Sequence, residues 1–332
     1  MVSFLQARIE LMLDIDYLHI NGRYLFKDNL LYLFNGGSSL SFKMSGNALT
    51  IELEHIPSPG YFYIVVDKDY ENKIKVFNDS GFKTCLFKQK SIHYIDIIKA
   101  NEANDNTLVI KDISVNGELY KYDHQYYKKV RVFGDSTVAG YGILKHDGPA
   151  SIHTSDSVLD FVHSALYELN METDIFSASG WGLTFSSYTC PKSIGIIDFI
   201  DKVKVNSNID YVDDFKPDLL IISLGCNDNS YIEEDPLSRE TRVNYFKRQY
   251  QALIESQIRD NKDLKILMIY GTLKEENAYY LYEETYEYLK PLYKNLYIHK
   301  FNGDNTGISN HAYVTAHERM KEELKKVIKE IL

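Results

Sequence analysis

The sequence predicts an N-terminal antiparallel β-sandwich of the jelly-roll type, followed by a three-layer α/β/α domain built on a parallel sheet. Three observations carry that expectation. Short alternating runs fill the chain before Tyr120, strand and helix patterns alternate after Tyr127, and 332 residues make about two domains at roughly 150 residues each.

From Ile15 to about Tyr120 the runs are YLHINGRYLF, LYLFNG, SLSFKMSG, ALTIELEH, YFYIVVD, KIKVFN, HYIDIIKA and TLVIKDISV. Apolar and polar residues alternate within them, as a half-buried strand requires. Asn-Gly, Gly-Gly, Ser-Gly and Pro-Gly pairs separate them, and no amphipathic helix interrupts. The basic stretch Tyr120 to Lys129 is the expected junction, giving a sandwich over residues 1–125 and an α/β domain over residues 126–332.

In the second part KKVRVFGDS reads as a strand entering a turn, SDSVLDFVHSALYELN as an amphipathic helix and ETDIFSASG as a strand. PDLLIISLGCND is a strand rich in Leu and Ile, VNYFKRQYQALIESQIRDN a helix and LKILMIYG a strand. EENAYYLYEETYEYLKPLY follows as a helix, NLYIHKFNG as a strand and HAYVTAHERMKEELKKVIKEIL as the last helix. Continuous apolar strands alternating with helices indicate a parallel sheet covered on both faces. Ligands of such sheets bind beyond the carboxyl ends of the strands.

Composition excludes several function classes. The formal net charge is −10 and the Lys residues are interspersed with acids, so no basic stripe is available for a nucleic acid or an anionic lipid surface. No window resembles a membrane span. Arg8, Glu10, Asp14 and Asp16 interrupt the N-terminal apolar stretch, which argues against a secretory signal. Cys85, Cys190 and Cys226 are odd in number and widely spaced, unlike a disulfide framework or a zinc site. Reduced thiols and a cytoplasmic location are expected.

Four short segments of the second part place chemistry just after strands. Gly134-Asp135-Ser136 follows VRVF, where a serine can expose its Oγ at the sheet edge and nearby N–H groups can face a developing oxyanion. Such a triplet also suits an ordinary turn or helix N-cap. Gly180, after DIFSAS, permits close backbone approach and offers an N–H, although glycines after strands are common. Gly225-Cys226-Asn227-Asp228 puts an Asn amide at a strand end, with an acid beside it to hold the turn; an N-cap would use the same residues. His311 precedes the last helix and has the near-neutral pKa that suits a base for a hydroxyl nucleophile. Cys226 reads as a small packed residue, and His317 as structural or as support for the site.

Ser136, Gly180, Asn227 and His311, in this order after successive strands, resemble the four blocks of the SGNH (GDSL-like) hydrolase superfamily. The resemblance covers Val130 to the C-terminus. It implies a Ser136 nucleophile, His311 as base, an oxyanion hole made by the Ser136 and Gly180 N–H groups and the Asn227 amide, and no metal or cofactor. INGRYLFKDN ahead of a sandwich, together with HAYVTAHERM matching an H-P-S-x-x-x-H-x-x-M pattern, is similar to the carbohydrate esterases of family 2. That similarity implies removal of acetyl or short acyl groups from mono-, oligo- or polysaccharide esters.

Two departures from the superfamily pattern matter. Ile308 and Ser309 stand where an Asp before the histidine is usual, and Ala312 replaces the following Pro. A backbone carbonyl can orient an imidazole as an acid does, so a Ser136/His311 dyad is expected, with Asp304 the candidate third member. Trp181 and Tyr141 are the candidate faces for stacking on a sugar ring, although the 27 Tyr of this chain also suit ordinary packing. A sugar O-acetyltransferase using the same site and a glycan-binding protein with a degenerate hydrolase half are the alternatives.

Overall fold

The computed structural model describes residues 15–187, 194–273 and 278–332. The N-terminal stretch before Ile15, Cys190 and the start of the helix expected from EENA lie outside the described residues.

Nine strands pair into one antiparallel sheet among the described residues. They are β1 (Leu18–Asn21), β2 (Tyr24–Lys27), β3 (Leu30–Leu33), β4 (Ser39–Leu53), β5 (Tyr61–Val66), β6 (Ile74–Phe77), β7 (Gly81–Lys99), β8 (Leu108–Val115) and β9 (Leu119–Tyr120). The order is β2-β3-β8-β4-β7-β5-β6, with β1 and β9 also pairing on β4. The two runs SLSFKMSG and ALTIELEH are one strand, because the Ser-Gly between them makes a bulge and not a turn. Leu40, Phe42 and Met44 are buried before it, and Leu49, Ile51 and Leu53 after it. One extra residue inverts the period-2 alternation, so the buried positions change from even to odd while all six side chains join the same core. Gly46 adopts φ +108° there, and Asn116 Oδ1 accepts the N–H groups of Asn47 and Ala48, both at 2.9 Å. Such a bulge bends its strand locally and increases its twist.

The second sheet is parallel throughout. The chain runs β10 (Lys129–Gly134), α1 (Phe161–Glu168), β11 (Glu172–Ser177), β12 (Leu219–Ser223), α2 (Cys226–Ile232), α3 (Arg239–Ile258), β13 (Lys265–Tyr270), α4 (Tyr279–Leu289), β14 (Leu296–Lys300) and α5 (Val314–Ile331). Strand order is β11-β10-β12-β13-β14. Val130, Val132, Leu219, Ile221, Leu267 and Ile269 pack with α1 and α5 on one face. Phe133, Leu220, Ile222, Ile266 and Met268 pack with α3 and α4 on the other. Burial on both faces explains why these strands read as unbroken apolar runs. Helix α1 starts later than its sequence pattern suggested, because Asp160 caps it by accepting the N–H groups of Val162 and His163 at 2.6 and 3.1 Å. Among the described residues no helix is long and apolar enough to cross a membrane.

The sandwich and the α/β part are joined by buried polar contacts. Arg23, between β1 and β2, has no exposed surface. Its Nε donates to Asp174 Oδ1 at 3.3 Å, and its Nη1 donates to the carbonyls of Ile200 and Lys202 at 2.8 and 2.7 Å. Its guanidinium carbon stands 4.0 Å from the centroid of the Phe176 ring. The other Asp174 oxygen accepts Arg131 Nε at 2.8 Å, so one buried carboxylate serves both parts of the chain. Further on, the Tyr61 and Tyr63 hydroxyls donate to Asp156 Oδ2 at 3.0 and 2.7 Å, and Ser157 N donates to the Ala100 carbonyl at 2.8 Å. These bonds moor the long loop after Ser136 against the sandwich.

Candidate active site

Neighbouring strands deliver three of the four expected segments to one sheet edge. Strand β10 lies between β11 and β12, with Gly134 level with Ser177 on one side and Ser223 on the other. Adjacent strands stand about 4.8 Å apart, so Ser136, Gly180 and Asn227, a few residues past those levels, emerge side by side. Ser136 sits in a tight turn held by Asp135, whose Oδ1 accepts both the N–H and the hydroxyl of Thr137 at 3.0 Å. Burial raises the Asp135 carboxyl to about 6.

The fourth segment arrives from the connection between β14 and α5. His311 Nε2 lies 2.7 Å from Ser136 Oγ. On the opposite side of the ring, Nδ1 is 3.2 Å from the carbonyl oxygens of both Ile308 and Ser309. A carbonyl can only accept, so Nδ1 carries the proton and Nε2 presents its lone pair to the serine hydroxyl. Ser309 and Asn310 take left-handed conformations, φ 54° and 62°, which form the turn that brings these carbonyls under the imidazole. Burial lowers the His311 pKa from its ordinary value, against the raising effect of the Ser309 and Ile308 carbonyls.

Asp304 is not the partner of His311. Its Oδ1 accepts the N–H and hydroxyl of Thr306 at 3.3 and 3.1 Å and the Tyr313 N–H at 3.2 Å, and its Oδ2 is 3.7 Å from Arg319. The carboxylate braces the loop that carries His311, while main-chain oxygens occupy the place beside the ring. Trp181 also departs from expectation. It is 3% exposed and packs edge-on against Phe199 within the core, so it offers no stacking face. Tyr141 does stand at the site, with its ring centroid 4.8 Å from that of His311 and its N–H donating to the Ser136 carbonyl at 3.0 Å.

Asn227 lies in the first turn of α2, and its Nδ2 donates to the Trp181 carbonyl at 3.3 Å. That bond ties the Asn227 amide to the Gly180 segment and leaves a second amide hydrogen. Asp228 does more than hold its own turn. Fully buried, it accepts the N–H groups of Leu183, Thr184 and Phe185 at 2.8, 2.8 and 3.1 Å, and the Thr184 hydroxyl at 2.8 Å. Burial raises its pKa, and these donors oppose the rise. His317, 2% exposed, accepts the Phe161 N–H at its Nδ1 at 3.2 Å and so locks α1 to α5. Among the described residues no three His, Cys, Asp or Glu side chains converge to hold a metal ion.

A serine hydroxyl donating to a half-buried, oriented imidazole at the carboxyl edge of a parallel sheet, with an amide at the end of the neighbouring strand, is the geometry of a carboxylic ester hydrolase. The model of one family in that class, the GDSL-like lipase/acylhydrolases, matches residues 130–330. The chain belongs to this family. Solved structures extend the likeness to the sandwich. A family two carbohydrate esterase from Clostridium thermocellum, in complex with cellohexaose, is 20% identical with a TM-score of 0.80, covering 94% of this chain and 98% of its own. One from Cellvibrio japonicus is 20% identical with a TM-score of 0.79, covering 95% of both chains. An acetyl xylan esterase from the rumen bacterium Butyrivibrio proteoclasticus is 16% identical with a TM-score of 0.80, covering 95% of this chain and 96% of its own. No curated protein sequence matches this chain.

Proposed function

We propose that this protein removes acetyl or other short acyl groups from carbohydrate esters through an acyl-enzyme on Ser136, with His311 as the base. The observation that carries it is the 2.7 Å contact of His311 Nε2 with Ser136 Oγ, on a ring whose Nδ1 proton is held by two carbonyls. The likeness of the whole fold to carbohydrate esterases supports the sugar ester as substrate.

Ser136 Oγ attacks the ester carbonyl carbon while its proton passes to His311 Nε2. The carbonyl oxygen becomes an oxyanion, which the Ser136 and Gly180 N–H groups and the Asn227 amide hold. The tetrahedral adduct collapses, the sugar oxygen leaves with the proton from His311, and the acyl group stays on Ser136. His311 then takes a proton from water, whose oxygen attacks the acyl carbon, and the carboxylic acid and free Ser136 are released. Tyr141, beside the imidazole, is the side chain placed to wall the leaving sugar.

Hydrolysis of para-nitrophenyl acetate, longer acyl esters and an acetylated sugar by wild type, Ser136→Ala and His311→Ala tests this. Acetate-selective turnover should fall by about 10⁶-fold in either variant. Wild-type inactivity with retained sugar affinity would make the protein a glycan-binding module, and acetyl appearing on an added sugar acceptor in place of free acetate would make it a transferase.

A further inference from the structure

The sandwich touches the segment that carries Gly180. The connection between β7 and β8 presents Glu102, 4% exposed, whose Oε2 accepts the Ser179 N–H at 2.8 Å. Ser179 immediately precedes Gly180, which takes φ +77°, a conformation few side-chain-bearing residues adopt.

The Glu102 backbone is itself held from several sides. Fully buried Lys99 donates from Nζ to the carbonyls of Asn101 and Glu102. Asn101 Oδ1 accepts the Tyr61 N–H at 2.8 Å, and Asn101 Nδ2 donates to the Ile152 carbonyl at 3.0 Å, in the loop that follows Ser136. Lys204 Nζ reaches the Ala103 carbonyl at 3.2 Å from the α/β side. Glu102 therefore hangs from a braced backbone and has one main-chain donor of the α/β part in its grip. A buried bond of this kind is unscreened, and it sets the peptide plane immediately ahead of the Gly180 N–H.

We propose that Glu102 is a positioning residue for ester hydrolysis: from the sandwich, its carboxyl oxygen holds the Ser179 N–H and so keeps the Gly180 N–H aimed at the oxyanion. This rests on the Ser136 esterase mechanism proposed above. It also gives the sandwich a part in the chemistry, beyond any contact with the sugar.

The test compares Glu102→Ala, Glu102→Met and Glu102→Gln in the full chain, each checked for folding by circular dichroism and thermal midpoint. Two rates are read: para-nitrophenyl acetate hydrolysis, and Ser136 phosphonylation by a fluorophosphonate, which builds negative charge in the same oxyanion site without needing the natural substrate. The Ala and Met variants, which lack an acceptor, should lose about 10- to 100-fold in kcat and in phosphonylation rate, with KM nearly unchanged. The Gln variant, whose amide oxygen can accept the same N–H, should recover most of both rates. A folded Ala or Met variant with wild-type rates would overturn the proposal, and so would a Gln variant as impaired as they are. If neither acceptor-less variant folds, the Gln variant decides: a retained phosphonylation rate supports the positioning role and a loss of tenfold or more ends it. Normal phosphonylation of a wild type that turns over no ester would sink the assigned activity alone.

Discussion

The carbonyl oxygen of Ser309 lies 3.2 Å from Nδ1 of His311, on the side of the imidazole turned away from Ser136. With the Ile308 carbonyl at the same distance, it does what a carboxylate does in a triad: it selects the tautomer and fixes the ring. A neutral oxygen contributes less to stabilising the imidazolium than a charged one, but it requires no buried charge beside the ring.

Asp304 should accordingly be dispensable for the chemistry. In a triad, replacing the acid by its amide costs about 10⁴-fold in kcat. Asp304→Asn keeps an oxygen to accept the Thr306 and Tyr313 N–H groups, so its kcat should stay within about tenfold of wild type in a steady-state assay. A thousandfold loss would instead make Asp304 the orienting acid.

The pH dependence follows from the burial of His311. As the proposed base, His311 must be neutral to take the serine proton, and burial holds its pKa below the ordinary value of 6.5. Protonation therefore disables it only as pH falls below that value. The acid limb of kcat/KM assigned to His311 should have its midpoint under 6.5; a midpoint at or above it would contradict the lowered pKa.

If Asn227 holds the oxyanion as proposed, Asn227→Ala should lower kcat by about 10²- to 10³-fold with little change in KM, because an oxyanion donor acts chiefly in the transition state. Parallel measurement of KM and kcat separates this from simple loss of binding. Unchanged kcat would leave the Asn227 amide with only its structural bond to the Trp181 carbonyl.

Arg23→Met tests the joint between the two parts. Removing one member of a buried ion pair leaves the other uncompensated, which costs about 3–5 kcal/mol. Asp174 would retain Arg131, so the lower end of that range is expected. The denaturant midpoint should fall accordingly, and a shift worth less than about 1 kcal/mol would show that the packing over Phe176 carries the joint without the charge.

Local sequence determined much of this protein. Period-2 runs marked the sandwich, unbroken apolar runs marked the parallel sheet, and residues just past those strands named Ser136, Gly180 and Asn227, because topology sends strand ends to one edge. The turn-like Ser45-Gly46 pair misled, since a bulge and a turn draw on the same residues and differ only in what the flanking segments pair with. Trp181 was misplaced because its neighbour in sequence, Gly180, is at the site while its side chain is buried in the core, a choice made by Phe199 and other distant residues. Only the tertiary structure decided what orients His311, what Asp304 and Asp228 hold, and that Glu102 reaches Ser179. Each of these depends on a main-chain oxygen, a left-handed turn or a buried carboxylate meeting a donor far away in the chain. Main-chain groups are alike at every residue, so no residue type announces them; only the folded path decides which of them meet.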